Sequence, residues 1–124
     1  MEYKITQDYT EYKRYCKVLS LDNDPDLIAE YKAAHAAGKA WAEITQGMID
    51  VGILDMEIYL DGTRLIMIMD VVPEFNHERD MALLATKPRQ SEWEKTMSKF
   101  QRTSGDASAD EKWQMIERIY KLGK

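Results

Sequence analysis

The stretch "LDMEIYLDGTRLIMIMDVV" (residues 54–72) constrains this chain more than any other. Asp61-Gly62 is a strong signal for a two-residue hairpin turn, because the favoured turn needs positive φ at its central residues. Before the turn, "LDMEIYL" (54–60) alternates. Met56, Ile58 and Leu60 share one face, and Asp55, Glu57 and Tyr59 share the other. After the turn, "TRLIMIMDVV" (63–72) is apolar on both faces. A central strand covered on two sides has that pattern. The rest of the chain must therefore supply a sheet around this hairpin and helices to cover it.

The flanking sequence supplies both. "YKRYCKVLSL" (12–21) reads as a strand. "DNDP" then opens a helix, with Asn23 or Asp24 as the cap and Pro25 at the first helical position. Apolar spacings of three, four and seven predict one helix from Pro25 to about Asp50, with Gly38 a weak point inside it. Gly52 suits a left-handed cap after its end. Beyond Pro73, residues 76–86 read as a helix with Asn76 as a possible cap. Residues 89–100 read as a second helical piece, with Ser91 and Glu94 spaced as a capping box. Residues 101–111 read as a loop, and "WQMIERIYKL" (113–122) as a last strand.

The order strand, helix, strand, strand, broken helix, strand is the ferredoxin-like βαββαβ arrangement, an α+β fold with an antiparallel sheet and helices on one face. We divide the chain into a polar N-terminal arm (1–11) and a single domain (12–124), which is long enough to bury a core. The apolar "LIMIM" argues against a fully solvated second sheet face. A homodimer joined by sheet faces or edges is the natural solution, a dimeric α/β-barrel type.

Charge and cysteine usage narrow the function. The formal net charge is −5, with no basic stripe, which argues against nucleic acid as a partner. No run approaches a membrane span, and the N-terminus carries no apolar leader. Cys16 is the lone cysteine, so a reducing, cytoplasmic setting is expected. The two histidines and one cysteine lie far apart and do not resemble a zinc site. No glycine-rich phosphate loop and no nucleophile elbow are present. No cofactor is expected, and a small polar ligand or a protein partner fits best.

What remains is a set of acid/base and aromatic residues. His35 is the best titrating candidate, one helical turn after Tyr31. The pattern by itself favours a helix histidine that only packs or hydrogen-bonds. Trp93 could stack on a sugar face, and Glu94 could bind hydroxyls or move a proton. The bland alternative, which the pattern favours, has Trp93 and Met97 anchoring an amphipathic helix while Glu94 faces solvent. His77 reads as a solvated first-turn residue. Trp41 reads as core.

The order "AEYKAAH", "WAE" (41–43), "GILDMEIYLDGTRLIMIMD", "EWEKTMSKFQ" and "EKWQMIERIYKL" resembles the L-rhamnose mutarotase family, from about Tyr15 to Leu122. "DMEIYL" and "EKWQMIERIYKL" look most like a branch often assigned to L-fucose pathways. The resemblance implies a ferredoxin-like dimer that interconverts the α and β anomers of a 6-deoxy-L-sugar (L-rhamnose or L-fucose type), without cofactor or metal. It carries general acid/base work onto His35, substrate contact onto Tyr31 and sugar binding onto Trp93.

Three departures from the family pattern bear on specificity. Glu94 replaces the second tryptophan of a pair, and Met56 replaces a substrate tyrosine. Both join the expected substrate-binding set, and a pocket with fewer rings and an extra carboxylate suits a different hydroxyl pattern. In the third departure, "HAAGKAWAE" carries two extra residues and has alanine in place of a proline. Two residues rotate an ideal helix by about 200°. Either the helix bulges or kinks near Gly38, or His35 turns away from the site. Three alternatives stand beside the mutarotase reading: a non-catalytic sugar-binding or regulatory dimer on the same scaffold, a cofactor-free monooxygenase acting on aromatic substrates, and a purely structural dimer.

Overall fold

The computed structural model describes residues 1–5, 8–36, 38–101 and 108–123. Four strands form one antiparallel sheet in the order β2-β3-β1-β4. They are β1 (Lys13–Ser20), β2 (Ile53–Asp61), β3 (Arg64–Val71) and β4 (Gln114–Met115). The helices are α1 (Pro25–Ala34), α2 (Ala42–Asp50), α3 (His77–Leu84), α4 (Gln90–Met97) and the short α5 (Ala109–Lys112). The hairpin forms as its sequence predicts, with Gly62 at φ +62°, and β3 lies inside the sheet between β2 and β1.

Register decides which side chains meet. Tyr15, Lys17 and Leu19 stand opposite Met69, Met67 and Leu65, so all six share one sheet face. The core lies between that face and helix residues Tyr31, Ile44, Met81, Leu84, Trp93 and Met97. The opposite face carries Arg14, Cys16, Ile66, Ile68 and Asp70. There Arg14 donates two hydrogen bonds to Asp70, at 2.6 and 2.9 Å. Tyr9, from the N-terminal arm, donates a third to the same carboxylate. Tyr3 sets its ring edge-on to Tyr59 at 5.7 Å, so the arm lies along this face.

The predicted helix Pro25–Asp50 is two helices. Asp24 caps the first through bonds from the amides of Asp26 and Leu27, and Pro25 opens it. The helix stops at Ala34 with His35 as its C-cap. Gly38 then takes φ +78°, a conformation that costs glycine no Cβ clash, and the chain turns there. Trp41, extended at φ −65° and ψ 133°, starts α2. The stretch from His35 to Trp41, where the resemblance implies two extra residues, thus spans a break between helices, so no rotation of about 200° is carried along a single helix.

Three other expectations need correction. Ser91 and Glu94 form no capping box, because α4 begins at Gln90 and its cap, Arg89, makes no side-chain cap bond. The capping box lies instead at Ser108 and Glu111, where part of the expected loop forms α5. The rest of that loop, residues 102–107, lies outside the described residues. The last strand is only Gln114–Met115, because β1 accepts pairing over only Lys17 and Val18. One more bond runs from the Ile116 amide to the Cys16 carbonyl. Beyond it, no strand among the described residues lies alongside, and propensity without a partner does not make a strand. Ile119, Tyr120 and Leu122 are exposed there.

Candidate active site

The C-terminus of α1 places the first candidate side chains. His35 stacks on Tyr31, one turn earlier, with ring centroids 4.2 Å apart and planes 28° apart. His35 Nδ1 lies 2.9 Å from the Tyr31 carbonyl oxygen. A carbonyl can only accept, so Nδ1 carries the proton and the neutral ring's lone pair is on Nε2. Trp93, on α4, meets His35 edge-on at 5.4 Å, and Trp41 meets Trp93 at 5.1 Å. The Arg89 guanidinium lies 4.0 Å over the Trp41 ring and also bonds Glu92, so α4 and the start of α2 are held together around this row of rings.

The rings of Tyr31, His35 and Trp93 border a cavity of about 110 Å³ beneath the sheet. All five residues expected in the site line it: His35, Tyr31, Trp93, Glu94 and Met56. Cavities of about 430 and 290 Å³ adjoin, and His35 lines both of them as well. The inner cavity alone is smaller than a usual small-molecule site of roughly 300–1,000 Å³, and with its neighbours the space falls in that range.

Glu94 is buried, the reverse of the solvent-facing alternative. Burial pushes its carboxyl above the usual glutamate range, and the Lys112 ammonium pulls part of the way back. Lys112 Nζ lies 3.8 Å from Glu94 Oε1 and donates a hydrogen bond to the Glu94 carbonyl oxygen. Burial also lowers His35 below the ordinary histidine value, with the Tyr31 carbonyl opposing. The Tyr31 hydroxyl is raised by burial, although Gln101 hydrogen-bonds it. The site therefore holds a neutral imidazole and a carboxyl that keeps its proton to higher pH than a surface glutamate.

Four buried side-chain atoms among the described residues lack hydrogen-bond partners: Gln90 Oε1, Glu94 Oε2, Gln101 Oε1 and His77 Nε2. The three oxygens belong to residues that line the inner cavity. Buried acceptors without donors are costly, so this lining calls for a ligand that brings O–H or N–H groups.

Sequence reasoning missed Lys17, Gln90, Gln101 and Trp113, which also line the cavity. Their spacing carried no signal, since they come from β1, α4 and the segments flanking α5. His77 is not a solvated first-turn residue. It packs against Tyr15 at 5.0 Å and lies 3.8 Å from Asp110. Trp41 packs partly buried against the core, near its expected place. Among the described residues, no group of three or more His, Cys, Asp or Glu could hold a metal. No helix among the described residues is long and apolar enough to cross a membrane.

Comparison with known proteins gives consistent matches. The model of a family described as L-rhamnose mutarotase matches residues 14–122. An L-fucose mutarotase of Xanthomonas campestris is 34% identical over 112 residues, covering 90% of each chain. A UPF0734 protein of Dictyostelium discoideum is 33% identical over 119 residues, covering 93% of this chain and 94% of its own. An L-rhamnose mutarotase crystal structure from Formosa agariphila superposes with a TM-score of 0.60 over 90% of this chain and 99% of that one. Its 12% identity makes that likeness one of fold. With the family's model spanning nearly the whole chain, this protein belongs to the L-rhamnose mutarotase family.

Proposed function

We propose that this protein is a mutarotase that interconverts the α and β anomers of a 6-deoxy-L-hexose of the L-rhamnose or L-fucose type. The observation that carries the reading is the inner cavity itself. It brings His35 and a buried Glu94 together with two amide oxygens, on Gln90 and Gln101, that lack donors among the described residues. A monosaccharide supplies the missing donors through its hydroxyls, and Trp93 offers a ring for its apolar face.

The chemistry needs one base and one acid. His35 Nε2 takes the proton of the anomeric hydroxyl while the Glu94 carboxyl protonates the ring oxygen. The bond between the anomeric carbon and the ring oxygen breaks, leaving an open-chain aldehyde. The carbonyl turns about its carbon–carbon bond, and the former ring hydroxyl adds to its other face. Glu94 regains its proton from that hydroxyl as His35 returns one to the new anomeric oxygen. Positioned groups of this kind contribute roughly 10²–10⁴-fold to rate.

The test is anomer exchange by saturation-transfer NMR on L-rhamnose, L-fucose and their hydroxyl epimers. Acceleration of at least one sugar is the expected result. No acceleration on any of them overturns the reading, and calorimetric binding without exchange would favour the non-catalytic sugar-binding alternative. We also propose a homodimer. A second copy would cover the exposed Ile119, Tyr120 and Leu122, and sedimentation equilibrium checks this by mass.

A further inference from the structure

Lys17 is among the largest side chains buried to near completion, with 1% of its surface exposed. It stands in the middle of β1, opposite Met67 on β3 and Met115 on β4, and lines the inner cavity with Met67, Met69 and Met81. Methionine has a similar length and no charge, so packing alone gives no reason for a lysine in this row. Among the described residues, no hydrogen bond or ion pair of Lys17 relieves its burial. Its neighbour Asp110 acts on it only through space, while lying 3.8 Å from His77. Burial accordingly lowers the Lys17 amine below the usual lysine value.

Among the described residues, the lining of one cavity thus includes a donor without an acceptor, Lys17, and two amide oxygens without donors, on Gln90 and Gln101. No hydrogen bond joins Lys17 to either of these oxygens. A group that both accepts and donates would satisfy members of both sets, and a sugar hydroxyl is such a group.

We propose that Lys17 is a specificity-determining residue, whose Nζ donates to the oxygen of one sugar hydroxyl while that hydroxyl's proton goes to the unpartnered amide oxygen of Gln90 or Gln101. This rests on the mutarotase reading for its ligand class, and it assigns to Lys17 recognition and no step of the proton transfer.

The test is Lys17→Met, which keeps the length and removes the donor. KM and kcat for anomer exchange are measured on the best sugar of the panel, alongside calorimetric binding of L-fucose and L-rhamnose and thermal unfolding. We expect KM to rise roughly 10- to 100-fold, the range for a lost charged hydrogen bond, with kcat within a few-fold of wild type and Tm equal or higher. On monodeoxy analogues, removal of one particular hydroxyl should make wild type and variant equal in KM. An unchanged KM overturns the proposal, and so does a fall in kcat at constant KM. A uniform KM increase across all monodeoxy sugars also overturns it, since that is what a merely structural change would give. Should wild type accelerate no sugar, the mutarotase reading fails by itself. Calorimetry then decides the Lys17 assignment, which stands if the variant loses affinity for a sugar that wild type binds and falls if the two bind alike.

Discussion

The two faces of the sheet both bury charged groups, and they treat them differently. On the face along which the N-terminal arm lies, Asp70 accepts two bonds from Arg14 and one from Tyr9. Burial raises that carboxyl, but those bonds outweigh it and hold it below the usual aspartate range. On the helix face, Lys17 is buried with no hydrogen-bond or ion-pair partner among the described residues, and Glu94 keeps one oxygen unpartnered among them beside Lys112. A satisfied buried cluster stabilises a fold, whereas an unsatisfied one around a cavity has to be explained by what enters it.

Substitutions can break that contrast, and the largest effect is expected on the helix face. His35→Ala should slow anomer exchange by roughly 10²–10⁴-fold, with thermal stability little changed. An exchange rate equal to wild type would remove His35 from the chemistry. Glu94→Gln keeps a hydrogen-bonding group of the same shape that cannot give up a proton, so exchange should fall by about 10²-fold. Glu94 holds its proton more tightly folded than unfolded, so wild-type stability should decline as pH rises from the unfolded glutamate range through the folded value. The glutamine variant should lack that decline, which denaturant melts across pH would reveal.

The arm face should respond through stability alone. Asp70→Asn should cost about 1–3 kcal/mol of unfolding free energy and leave exchange unchanged. The lowered Asp70 stabilises the fold above the unfolded aspartate range, and that contribution is lost as pH falls through the folded value. The variant should therefore show a flatter acid limb. A matching loss of exchange would mean that the two faces are coupled. The smallest effect is expected at the break between α1 and α2. Gly38→Ala meets no atom within 4 Å, so only its positive φ is penalised, by about 1 kcal/mol. A larger loss, or slower exchange, would show that this turn sets the position of His35.

The hairpin was legible because its signals are local: a turn dipeptide and two strand patterns on either side of it. The Asp24 and Asn76 caps were legible for the same reason. The helix break was half legible, since Gly38 marked the weak point while the apolar spacing ran through it. The final strand failed because "IERIYKL" has the composition of a strand and only tertiary placement could show that β1 offers it no partner. Glu94 failed in the pattern reading because an amphipathic helix does not reveal how wide its buried stripe will be.

The sequence by itself determined the family, the central hairpin and the helix caps at Asp24 and Asn76, because these depend on neighbours within a few positions or on the order of motifs. Only the tertiary structure decided that His35, Trp93, Glu94 and Lys17 share one cavity. They come from α4, β1 and the end of α1, which lie far apart along the chain, and sheet register with helix packing sets which of them meet. It alone also decided which buried charges are satisfied. A hydrogen bond requires a donor and an acceptor within about 3 Å, and that distance exists only once the chain is folded.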